Sequence, residues 1–91
     1  MTIQRPVALV TGSTSGIGAA IARRLSSDGF AVVLHSRSSA ETGQAMAREL
    51  GSAIYVQADL AEDMDRVRLI REAVAAWGRL DVLINNAGIS R

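Results

Sequence analysis

Apolar residues gather in four short runs, and the polar stretches between them carry glycine turns and a longer apolar spacing. Val7-Ala8-Leu9-Val10, Ala31-Val32-Val33-Leu34 and Ala53-Ile54-Tyr55-Val56 are continuous, and Leu80 to Ile84 forms a fourth run, Asp81 notwithstanding. Short unbroken runs rich in β-branched residues predict strands covered on both faces of a sheet. Between the runs the period lengthens. Ile17, Ile21 and Leu25 recur every fourth residue and mark one face of a first helix, with Gly29 as its stop. Ser38 or Ser39 can cap a second helix over about 40–50, with Met46 and Leu50 facing inward and Gly51 ending it. Helical spacing returns at Met64, Val67, Ile70, Val74 and Trp77, and Gly78 closes the third helix.

The order β-α-β-α-β-α-β implies parallel strands joined by right-handed crossovers. In a doubly wound sheet the spatial order of the strands is then 3-2-1-4. With 91 residues, 48% hydrophobic and 21% charged, the chain holds one globular domain at most. A formal net charge of +1 gives no basic field for nucleic acid or an anionic membrane. Cysteine and lysine are both absent, which removes disulfides, thiolate nucleophiles and Schiff-base chemistry from these residues. His35 is the only histidine, so no His-rich metal site is expected. No apolar stretch is long enough for a bilayer. Only four apolar residues follow Pro6 before Thr11-Gly12, too few for a secretory segment, so the expected location is cytoplasmic.

Thr11-Gly12-Ser13-Thr14-Ser15-Gly16-Ile17-Gly18 joins the first strand to the first helix. A diphosphate is held best where free backbone N–H groups and the positive end of a helix point the same way. Gly12 permits the sharp exit from the strand, Gly16 a close backbone approach to the ligand, and Gly18 tight packing of helix on sheet. The hydroxyls around them are additional donors. The octet lacks the Gly-Lys-Ser/Thr of a nucleotide triphosphatase loop.

Three motifs in order make the chain resemble the short-chain dehydrogenases/reductases: Thr11 to Gly18, Asp59 at the end of the third strand, and Asn85-Asn86-Ala87-Gly88 after the fourth. The resemblance implies a Rossmann-type sheet, of which residues 1–91 form the N-terminal part of a single dinucleotide-binding domain. It implies pyrophosphate and ribose contacts from Gly12, Ser13, Ser15, Gly16, Ile17 and Gly18. It further implies that Asp59 accepts a hydrogen bond from the adenine amino group beside Leu60. Asn86, Ala87 and Gly88 then wall the two riboses, and the Asn pair also resembles residues that tie neighbouring strands together.

The end of the second strand bears on the choice of cofactor. Enzymes that prefer NAD usually place a carboxylate about 20 residues beyond the glycines, where it binds the ribose 2′-hydroxyl and repels a 2′-phosphate. Ser36 stands there instead, Arg37 follows, and no Asp or Glu lies between Asp28 and Glu41. Arg37 can make a charge-assisted contact to a 2′-phosphate, with Ser36 and Ser38 as further donors. NADP(H) is the expected cofactor. His35 reads as a surface residue beside the strand end, its other reading being a contact to the same phosphate.

In the family the resemblance points to, a Tyr moves the proton, a Lys lowers its pKa, and a Ser positions the carbonyl, all on later elements. No such set occurs in these residues, and Tyr55 reads as core or sheet surface. The expected function is a carbonyl reductase or alcohol dehydrogenase acting on a small molecule. These residues would supply the cofactor half and no catalytic residue, and the complete enzyme would be a homotetramer. The glycine turn resembles 3-oxoacyl-carrier-protein reductases. Residues 34–41 and 56–60 are also similar to pteridine reductases, which usually carry Arg where Gly16 stands. The alternatives are a non-catalytic dinucleotide-binding module and one piece of a split enzyme. The fourth strand is expected to be an exposed, association-prone edge.

Overall fold

The computed structural model of the protein describes residues 4–87. Strands and helices alternate as β1 (Val7–Val10), α1 (Gly16–Ser27), β2 (Ala31–Ser36), α2 (Ala40–Leu50), β3 (Ala53–Gln57), α3 (Asp63–Trp77) and β4 (Val82–Ile84). All pairings are parallel and the sheet runs β3-β2-β1-β4, the order expected from the alternation. One row across the sheet reads Ile54, Val33, Leu9, Leu83. The two central strands are buried along their whole length, whereas β3 and β4 are partly open.

Alternate residues of each strand serve opposite faces. Val10, Val32 and Leu34 pack with Ala22, Met46 and Ala47 beneath α1 and α2. Val7, Leu9, Ala31, Val33 and Val56 pack with Leu69 and Ala73 beneath α3. Each fully buried aliphatic side chain in these layers contributes about 1.5–3 kcal/mol relative to exposure.

Two helices turn differently from the expectation raised by their apolar spacing. In α1 the buried residues are Gly18 and Ala22, with Ile21 and Leu25 packing at the margin, while Ile17 is 75% exposed. In α3 the sheet-facing residues are Leu69 and Ala73. Of the predicted stripe only Trp77 packs on the core, and Met64, at 80% exposure, is left exposed together with Val67, Ile70 and Val74. The second helix meets the expectation: Met46 is buried, Leu50 packs against the core, and Gly51 sits at φ 85°.

Asp81, the anomaly in the fourth run, has a defined task. Its Oδ2 accepts the Val7 N–H at 2.8 Å, and its own N–H donates to the Val7 carbonyl at 2.9 Å. Arg79 grips both carboxylate oxygens at 2.8 Å. The Arg79 guanidinium, helped by the Val7 N–H, holds the Asp81 carboxyl below the usual carboxylate range. Among the described residues no helix is long and apolar enough to cross a membrane, and no cluster of His, Asp and Glu is suited to a metal ion.

Candidate functional site

The carboxyl ends of β1, β2, β3 and β4 all open on one edge, and every predicted site residue within 4–87 lies in the segments that leave it. In open α/β sheets this edge is where ligands bind, beside the strand at which the winding direction reverses. Here that strand is β1: β2 and β3 lie on one side of it and β4 on the other.

The turn after β1 is fastened from three directions. Thr11 N–H donates to the Ile84 carbonyl at 3.0 Å. Asn86 Nδ2 donates to the Thr11 and Gly12 carbonyls at 3.2 and 3.0 Å, and Ala87 N–H donates to Thr11 Oγ1 at 3.0 Å. From β2, the His35 carbonyl accepts the Ser13 N–H at 2.9 Å, and Ser13 Oγ accepts the His35 N–H at 2.9 Å. Gly12 and Gly16 adopt φ of 61° and 58°, in the left-handed region that a side chain disfavours. Gly18 is needed for space, because a Cβ there would overlap the Gly12 carbonyl and the Asn86 amide.

What remains free is a set of backbone donors at the start of α1. Among the described residues the N–H groups of Gly16, Ile17 and Gly18 have no hydrogen-bond partner. They form the positive end of α1, whose first turn carries no acidic residue. Ser15 is the N-cap but makes no side-chain cap bond, so its hydroxyl is uncommitted. Beyond Gly16 a Cβ would meet nothing within 4 Å, which leaves the approach to these amides open. A diphosphate fits the chemistry of this cradle: unpaired donors, a helix end and no carboxylate.

Other predicted residues have mixed assignments. Ser13 is fully buried, with N–H and hydroxyl both spent on His35, so it faces the interior rather than the cradle. Ser36 is also buried; its Oγ lies 2.5 Å from the Tyr55 hydroxyl and accepts the Ser39 N–H at 3.0 Å. Arg37 and Ser38 are exposed, and the Arg37 guanidinium has no carboxylate partner among the described residues. Asp59 is half-buried and shapes the turn after β3: Oδ1 accepts the Ala61 N–H at 3.0 Å, while its own N–H donates to Asp65 Oδ2 at 2.7 Å. Leu60 packs at the edge of the α3-side core. Asn86 and Ala87 close the turn as described, and Gly88 lies outside the described residues.

His35 corrects its surface reading. It is 2% exposed, and its ring lies inside the sheet edge. Nδ1 accepts the Gly12 N–H at 3.0 Å, and Nε2 lies 2.9 Å from the Ala58 carbonyl. A backbone N–H can only donate and a carbonyl can only accept, so the ring is neutral with its proton on Nε2. Burial pushes its pKa below the ordinary histidine value, against the opposing pull of the Ala58 hydrogen bond. The signal lay in the strand period, since residue 35 shares its face with the inward-pointing Ala31 and Val33.

Residues 6–91 match the family model for short chain dehydrogenase. The chain is 52% identical over 88 residues to a Streptomyces violaceoruber protein provisionally named ketoacyl reductase 2 of the granaticin polyketide synthase, covering 97% of this chain and 35% of that one. It is 42% identical over 89 residues to the 3-oxoacyl-(acyl-carrier-protein) reductase FabG of Staphylococcus aureus, covering 92% and 36%. A crystal structure of a dehydrogenase/reductase from Sinorhizobium meliloti superposes with a TM-score of 0.88 at 41% identity, covering 97% of this chain and 36% of that one. The chain thus spans about a third of the length of the curated relatives it matches.

Proposed function

Because the chain belongs to the short-chain dehydrogenase family, we propose that it supplies the cofactor-binding half of an NADP(H)-dependent oxidoreductase acting on a carbonyl or alcohol. The observation that carries this reading is the set of unpaired amides at Gly16, Ile17 and Gly18, on a turn braced by Asn86 and Ala87. The nicotinamide dinucleotide, when bound, supplies the hydride donor or acceptor. The residues in hand bind and orient: Gly16, Ile17, Gly18 and Ser15 hold the diphosphate, and Gly12 shapes the turn beneath it. Asp59, with one carboxylate oxygen engaged by Ala61 and the other without a partner among the described residues, receives the adenine beside Leu60. Asn86, Ala87 and Gly88 line the riboses.

Preference for NADP(H) is supported by an exposed guanidinium at Arg37 without a carboxylate partner among the described residues, beside Ser36 where NAD enzymes usually carry an acid. Similarity to two ketoacyl reductases supports a 3-oxoacyl thioester as substrate. The proton-transfer residues come from sequence other than residues 1–91, and the reading includes a cytoplasmic homotetramer. Calorimetric titration of the protein with NADPH and NADH tests it. Both should bind, NADPH more tightly; absence of binding by either overturns the reading, and tighter NADH binding overturns the preference.

A further inference from the structure

His35 reaches the cradle without touching it. Its Nδ1 is the acceptor for the Gly12 N–H, and the Gly12 carbonyl in turn accepts Asn86 Nδ2 and forms the surface against which Gly18 packs. The peptide units on both sides of Gly12 are therefore fixed, the one carrying its N–H by a ring with a single usable lone pair. Adding a proton to Nδ1 would set two donors face to face, and either the ring or the Gly12 peptide would have to move. A shift of Gly12 displaces the floor under the first turn of α1, which carries the free amides. Resting on the dinucleotide reading above, we infer that His35 is a positioning residue for the cofactor: its neutral ring sets the Gly12 peptide and the amide cradle behind it, and its protonation weakens dinucleotide binding.

The surroundings contain no ready counter-charge for a protonated ring. From the turn the ring meets the Gly12 amide, and just after β3 the Ala58 carbonyl, while the Ser13 hydroxyl is taken by the His35 backbone N–H. Asp59, next to Ala58, turns Oδ1 to the Ala61 N–H. On α3, Asp65 accepts the Asp59 N–H, Arg66 pairs with Asp63 and the Leu60 carbonyl, and Arg68 pairs with Glu72 and the Gln57 carbonyl. Ser36, the last residue of β2, is hydrogen-bonded to Tyr55 of β3, and Arg37 beyond it is exposed. The lowered pKa of the ring agrees with this setting.

The test compares NADP+ affinity of wild type and His35→Asn across about pH 8 to about pH 5, on the gene product at its full encoded length, with thermal melting followed at each pH. Asparagine keeps an acceptor near the Nδ1 position but does not titrate. Using one ligand for both proteins cancels the titration of its own 2′-phosphate. The ratio of the wild-type Kd to the variant Kd should be constant at alkaline pH. It should then rise toward about tenfold per pH unit once the ring is protonated, the slope of one-proton linkage. His35→Leu, which removes the acceptor, should bind poorly at every pH. Parallel pH profiles for wild type and His35→Asn overturn the inference while leaving the dinucleotide reading intact, and so does a folded His35→Leu that binds like wild type. A wild type that binds neither NADP+ nor NAD+ at alkaline pH overturns both.

Discussion

An alanine at Gly18 would drive its Cβ into the Gly12 carbonyl, whereas one at Gly16 would enter open space and meet only a backbone penalty. The two substitutions separate packing from conformation. Gly16→Ala should cost about 1–2 kcal/mol, the range for a left-handed residue with a Cβ. Gly18→Ala should cost about 1–3 kcal/mol as an overpacking change and also displace Asn86 from the turn. Chemical denaturation checks both, and a Gly18→Ala protein as stable as wild type would refute the contact. At Arg37 the relevant change is electrostatic. Arg37→Ala should weaken NADPH by about 1–3 kcal/mol, the range for hydrogen bonds to charged groups, and leave NADH nearly unaffected in parallel titrations. The conformations of Gly12 and Gly16 and the tight packing at Gly18 were readable because turn geometry is local. Ser13 and His35 were not, since burial arises only when β2 is laid beside the turn, and it converts a hydroxyl and an imidazole from surface donors into internal braces.

Among the elements, α3 shows why an apolar stripe can locate a helix without giving its orientation. It carries two apolar faces: Leu69 and Ala73 packed on the sheet, and an exposed one of Met64, Val67, Ile70 and Val74, of which Ile70 borders the cavity beside β4. The second is longer and dominates the spacing, but only the first meets Val7, Leu9 and Val56. In the 91-residue chain, Leu69→Ala should therefore cost about 2–5 kcal/mol by denaturant titration, as large-to-small core changes do. Met64→Gln should change stability by less than about 0.5 kcal/mol, as for surface sites. β4 offers a pH-dependent test through Asp81. Its carboxyl is held below the usual range in the fold, so its contribution is present above the ordinary carboxylate pKa and disappears as pH falls through the lowered value. The stability difference between wild type and Asp81→Asn should shrink in acid and be constant near neutrality.

Taken whole, the described residues form a four-stranded sheet with two helices on one face and one on the other. Strand order was legible because buried runs alternating with helices leave few topologies, and the right-handed crossover removes most of those. Unequal cover on the two faces was less legible. A cavity of about 290 Å³ opens between α3 and β4, lined in part by Leu60, Leu69, Ile70 and Leu83, and Leu83 is 51% exposed. Apolar surface of this kind beside an unpaired strand edge favours association. Size-exclusion chromatography of the 91-residue chain should show elution that moves to larger size with concentration, and a single monomer peak at all concentrations would contradict this.

The bonds from Asn86 and Ala87 to the first turn join residues 74 to 76 positions apart. During synthesis, then, the first strand and its glycines emerge from the ribosome long before the residues that clasp them. The braces on the first turn are therefore complete only after residue 87 has left the exit tunnel, so on the dinucleotide reading ligand capture follows the synthesis of these residues rather than the emergence of the first turn.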